Sequence, residues 1–131
     1  MPRPFANLLL ASGLLATSPA LAPAALAHVA LVEASPAAQS EASDVRTLSL
    51  GFSGPLVDRL SGLDLAMTGM PGMAHHAPMK VTGFQTTLAD EGKTLLATLP
   101  RALPAGTYHV AWHVVGADTH RVEGGFDFTV K

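Results

Sequence analysis

Cysteine is absent from all 131 residues of this chain. No disulfide can staple the fold, and there is no cysteine nucleophile, cysteine-type zinc site or His₂Cys blue-copper centre. Any metal chemistry must run on histidine, methionine, carboxylate or backbone nitrogen. Aromatic residues are scarce, with one Trp, one Tyr and five Phe, so the core depends mainly on Leu and Val. There is no run of basic residues, which argues against a nucleic acid or an anionic lipid surface as partner. No helical period of useful length and no internal repeat occurs, and no apolar segment after residue 27 is long enough to cross a bilayer.

The first 27 residues read as a signal peptide. Arg3 and the terminal amine form a positive n-region, "LLLASGLLAT" is the apolar stretch, and Ala25-Leu26-Ala27 has the small-x-small form of a cleavage site. Pro19 and Pro23 cut the apolar run short of the roughly 20 residues that a spanning helix needs. The expected mature chain starts at His28 and comprises residues 28–131. It keeps seven cationic side chains against ten acidic ones, a formal charge of −3. Export out of the cytoplasm as one modest domain is the expectation.

That domain reads as all-β. "HVALVEASP" (28–36), "VRTLSLGFS" (45–53) and "GLDLAMTG" (62–69) carry apolar residues at alternate positions, as do "KVTGFQTTL" (80–88) and "KTLLATLP" (93–100). The last two flank Ala89-Asp90-Glu91-Gly92, a good hairpin turn. "GTYHVAWHVVG" (106–116) puts Tyr108, Val110, Trp112 and Val114 on one side, and "EGGFDFTVK" does the same with Phe126, Phe128 and Val130. About seven short strands with regular turn signals predict a small Greek-key β-sandwich of the immunoglobulin or cupredoxin-like kind.

Against this regular background, "MTGMPGMAHHAPM" (67–79) stands out. It holds Met67, Met70, Met73 and Met79, four of the five methionines, together with His75 and His76. Methionine used as core filler would recur at strand spacing among other apolar residues. Here Gly69, Pro71 and Gly72 break the backbone between the sulfurs. Thioethers are neutral, polarizable donors that suit Cu(I). Three or four of them with one imidazole predict a Cu(I) loop.

His28 suggests a second site. If it is the first residue of the mature chain, it offers its α-amine and its ring Nδ1 to a single chelate. An unperturbed α-amine has a pKa of about 7.7–8.0, so a metal displaces its proton readily near neutrality. Asp118 and His120, two residues apart in "ADTH", give a short bite if that backbone is extended. Amine, two imidazoles and a carboxylate make a tetragonal N,O set that favours Cu(II). His109 and His113 read differently. On a strand they lie about 13 Å apart, too far to share one ion, and they face solvent opposite Tyr108 and Trp112.

Taken together, these residues resemble the CopC family of periplasmic copper-binding proteins. The likeness runs through "AHVALVEASPA", "LSLGFSGPL", "MTGMPGM", "LPAGTYHVAWHVVGADTH" and "GGFDFTVK". It implies a Cu(II) site at His28, Asp118 and His120, and a Cu(I) site at Met67, Met70, Met73 and Met79 with one loop histidine. It also implies a β-sandwich with the sites at opposite ends, and partners such as a CopD-type inner-membrane protein and a multicopper oxidase. Two departures stand out. Where some members have a glutamate after Phe-Ser, this chain has Gly54. The loop is also one residue longer, so that His75 keeps the offset from Met73 and His76 the offset to Met79, with His75 slightly favoured.

The expected function is a non-enzymatic periplasmic copper carrier in copper homeostasis and resistance. Two alternatives are a copper monooxygenase-like enzyme using the N-terminal histidine chelate and a metal-free extracellular interaction module. The enzyme needs an exposed substrate surface, and the lone Trp and Tyr fall on the core face.

Overall fold

The computed structural model describes residues 28–131, so the signal-peptide reading of residues 1–27 lies outside the described residues. Nine strands form two sheets. β1 (Leu31–Ser35), β3 (Thr47–Phe52), β7 (Thr94–Thr98) and β6 (Gln85–Ala89) make one sheet in that spatial order. β2 (Glu41–Ala42), β9 (Arg121–Val130), β8 (Gly106–Val115), β4 (Gly62–Gly69) and β5 (Met79–Lys80) make the other. A single 3-10 turn, Asp58–Leu60, is the one helical element among the described residues. The expected β-sandwich is therefore the observed fold.

Pairing of β8 with β9 runs from Gly106↔Val130 to Val115↔Arg121 without a shift. Because strand side chains alternate, this register sends Tyr108, Val110, Trp112, Val114, Phe126, Phe128 and Val130 into the core together, and all seven are buried. Leu63, Leu65 and Met67 of β4 join them from the other flank of β8, facing Leu48, Leu50, Phe52 and Leu95 of the opposite sheet. Trp112 meets Phe52 edge to face across the layers, with ring centroids 5.2 Å apart. Tyr108 stacks on Phe128 at 5.5 Å, and its hydroxyl donates to the Pro104 carbonyl at 2.6 Å. Full burial of each large apolar side chain contributes about 1.5–3 kcal/mol, which is how a domain without disulfides holds together.

The outward positions of β8 behave as expected. His109 is exposed, and its Nδ1–H donates to Asp127, its partner on β9, at 2.6 Å. His113 lies partly exposed over Gly62 of β4.

One expected strand is two. The stretch 80–88 begins as β5, beside β4, and resumes as β6 in the other sheet. Gly83, at φ +80°, lets the chain turn between layers at a point where apolar alternation alone reads as continuous. β2 has only two residues and pairs parallel with the end of β9, inside a segment that reads as a loop.

Gly124 lies opposite Trp112, and a Cβ there would run into the indole ring. Gly124→Ala is expected to destabilise the domain by about 1–3 kcal/mol through overpacking, measured as a lowered midpoint in denaturant unfolding followed by Trp112 fluorescence.

Candidate metal centres

Three predicted ligands meet at one end of the sandwich. Candidate donor atoms of His28, Asp118 and His120 all lie within 4.8 Å of one another. Asp118 Oδ2 accepts from His28 Nδ1 at 3.0 Å and from His120 Nδ1 at 3.1 Å. The two imidazoles stand edge to face with centroids 4.7 Å apart.

Each residue has its own local anchor. Val29 is buried, with its Cγ1 beside Gly54 and Gly116, while Ala30 exchanges hydrogen bonds with Ser53. These contacts pin the chain just after His28 while its imidazole stays exposed. Asp118 and His120 belong to the β8–β9 connection, where Asp118 Oδ1 accepts the His120 backbone N–H at 3.2 Å. This is an Asx-type turn closed by Thr119 at φ +67°, so the two side chains converge through a turn and not along extended backbone. Gly54 sits next to Val29 and adds no donor.

Two hydrogen bonds to one carboxylate stabilise its charged form. His28 first, and then His120, hold the Asp118 carboxyl down at about 2, below its ordinary 3.8. Two imidazoles and this ionised carboxylate are donor types that suit a Cu(II) ion in tetragonal geometry.

The methionine segment lies at the far end of the same sheet. Met67 is opposite both Met79 of β5 and Tyr108 of β8, whereas Asp118 and His120 follow Gly116. Gly116 lies eight residues beyond Tyr108, on the order of 25 Å along a strand. Met70 and Met73 exchange backbone hydrogen bonds of 2.9 Å in both directions. Pro71 and Gly72 (φ +83°) fit the central positions of a type II turn between them. The sulfurs thus sit on two cross-strand pairs, Met67/Met79 and Met70/Met73, and each pair projects to one side of its ribbon. Met70, Met73 and Met79 are exposed at 37, 52 and 55 %, whereas Met67 is only 9 % exposed and forms the edge of the core.

The two loop histidines differ. His75 is exposed. His76 is half-buried, tied down by its backbone N–H to the Thr68 carbonyl at 3.0 Å. Its Nδ1 lies 2.7 Å from the Ala77 carbonyl, which can only accept, so Nδ1 is the donor, and in the neutral ring Nε2 is the nitrogen with the lone pair. That Nε2 is shielded and has no hydrogen-bond partner. Sequence offsets do not reveal this difference; the Ala-Pro that follows, just ahead of β5, is the nearest signal.

In the metal-free protein the Asp118 carboxyl should titrate near pH 2, read by carbon-detected NMR. His28→Ala and His120→Ala should each move it up toward 3.8. A carboxyl depressed in the folded state adds stability above its unfolded value, and that share is lost as pH falls through about 2.

A family model described as "CopC domain" matches residues 31–131. Copper resistance protein C of Xanthomonas campestris pv. juglandis is 44% identical over 107 residues, covering 82% of this chain and 83% of the relative. Copper resistance protein C of Escherichia coli is 41% identical over 107 residues, covering 82% and 84%. The crystal structure of PcoC, a methionine rich copper resistance protein from Escherichia coli, superposes with a TM-score of 0.72 at 37% identity, over 80% of this chain and all of PcoC. CopC from Methylosinus trichosporium OB3b gives a TM-score of 0.64 at 29% identity, over 79% of this chain and 94% of that one. With its sandwich, its paired methionines and a match that spans almost every described residue, this chain belongs to the CopC family.

Proposed function

We propose that the protein is a periplasmic copper carrier serving copper resistance and homeostasis, with separate places for the two oxidation states. The observation that carries the reading is chemical segregation. Nitrogen and carboxylate oxygen gather at one end of the sandwich, thioethers and one poised imidazole at the other, and no cysteine competes with either.

Cu(II) is held by the amine and Nδ1 of His28, by His120 and by Asp118. Without copper, Asp118 keeps both imidazoles turned toward a single point, which lowers the reorganisation that binding requires. The carboxylate is already ionised at neutral pH, so only nitrogen-bound protons are released.

Cu(I) is held by Met70, Met73 and Met79 with His76 and not His75, and Met67 supplies sulfur from the edge of the core. His76 is favoured because its tautomer is fixed and its Nε2 lone pair is free. Neutral, exchangeable thioether donors suit transfer of the ion and not its permanent storage. The role is binding and not catalysis. A CopD-type inner-membrane protein and a multicopper oxidase are the proposed exchange partners, and among the described residues no helix is long and apolar enough to cross a membrane.

One extra residue ahead of His28 should abolish tight Cu(II) binding and leave Cu(I) binding intact, as followed by electron paramagnetic resonance and by competition with a chromophoric Cu(I) chelator. Retention of the native Cu(II) spectrum would sink the N-terminal chelate. His76→Ala should weaken Cu(I) by more than about tenfold, or about 1.4 kcal/mol, while His75→Ala leaves it unchanged. The reverse ranking would reassign the imidazole. Met70→Leu with Met73→Leu should lose Cu(I) affinity without loss of fold, since both side chains are exposed.

A further inference from the structure

Beside the methionine pairs lies a cleft of about 300 Å³, of whose lining the metal reading uses only Met67 and Met79. One wall is Met79 to Thr82, the edge of the five-stranded sheet, and the other is the segment joining β7 to β8. Its floor is apolar, formed by Met67, Leu99, Leu103 and Tyr108. The hydroxyl of Tyr108 bonded to Pro104 fixes the far wall. Its rim is basic. Lys80 and Arg101 line the mouth, and no carboxylate does, in a domain where acids outnumber bases by ten to seven. Lys80 Nζ is 3.5 Å from Asp64, and among the described residues Arg101 forms no salt bridge.

A volume at the low end of the range for ligand pockets admits one or two side chains and not a folded surface. The edge strand beside it is only two residues long, so it offers little backbone for pairing with an added strand. An occupant must therefore be held by an apolar anchor in the floor and by negative charge at the rim. We propose that this cleft docks an extended acidic segment of a copper-exchange partner, with a methionine or leucine side chain entering the cavity and flanking carboxylates meeting Arg101 and Lys80. Met67 and Met79 belong at once to the cleft and to the Cu(I) set, so the occupant's side chain arrives beside the bound ion. The docking stands on the cleft alone, and its part in copper exchange rests on the Cu(I) reading above.

The test uses the ¹⁵N-labelled metal-free protein starting at His28. It is titrated with the blocked peptide Asp-Glu-Met-Leu-Asp, with a counterpart carrying lysine at each acidic position, and with hexanoate. The acidic peptide should give saturable shifts centred on Lys80–Thr82 and Arg101–Leu103. Binding should weaken when ionic strength rises from about 0.1 M to about 1 M, which shortens the Debye length from about 10 Å to about 3 Å. Arg101→Glu, at an exposed position, should weaken it by at least about tenfold while the rest of the spectrum keeps its native dispersion. The absence of saturable shifts at these positions would overturn the proposal, as would equal binding of the lysine peptide. Hexanoate matching the peptide would overturn it in favour of a small-anion pocket. The Met70→Leu, Met73→Leu protein separates the two readings. It should bind the peptide normally, so a failure of Cu(I) binding leaves the docking surface standing, and a failure of docking leaves the Cu(I) set untouched.

Discussion

All ten residues of β8 lie in register with all ten of β9, and that pairing fixes where everything else goes. Alternation along β8 commits Tyr108, Val110, Trp112 and Val114 to the core, so a slip of one residue would bury His109 and His113 in their place. With the interior decided, the two ends of β8 are decided as well. Tyr108 stands beside Met67 at one end, and the turn that carries Asp118 and His120 closes the other. The apolar layers between hold the two donor sets apart. Burial energy therefore does more than stabilise this domain; it sets the spacing of its chemistry.

The two ends are held in place by different physics. At the Asp118 end the hold is electrostatic. One carboxylate gathers two imidazoles from segments 90 and 2 residues away in sequence, and its own ionisation is secured by the hydrogen bonds that it accepts. At the methionine end no side-chain charge takes part. Backbone geometry does the work there, through a tight turn that sets Met70 against Met73 and a two-residue strand that sets Met79 against Met67. A single carbonyl contact then fixes the tautomer of His76. Borderline and soft ions prefer correspondingly different surroundings.

Much of the fold is legible in the sequence because its strands are amphipathic and their periods are clean. The long strands β3, β4, β8 and β9 can be drawn from alternation alone, as can the inward choice of the single Trp and Tyr. Where reading fails, the cause is local and physical. Val81 and Phe84 continue an apolar beat across Gly83, and nothing in that beat reveals that the chain changes sheet there. β2 is too short to carry a period. In the methionine segment the spacing of three reads as a loop, whereas Pro71-Gly72 is a turn signal that sets Met70 against Met73 in an isolated bridge. Asp118 and His120 come together for a reason other than the one their spacing suggested, because an Asx turn draws in side chains that extended backbone would merely have aligned. The approach of His28 depends on Val29 and Ser53, contacts made over long sequence distances and invisible to any window.

The span between the two ends has a consequence. Among the described residues the interior between them is packed with apolar side chains. On the proposed function, a copper ion that changed valence at one end would therefore reach the other by way of solvent or another molecule, and not through the core.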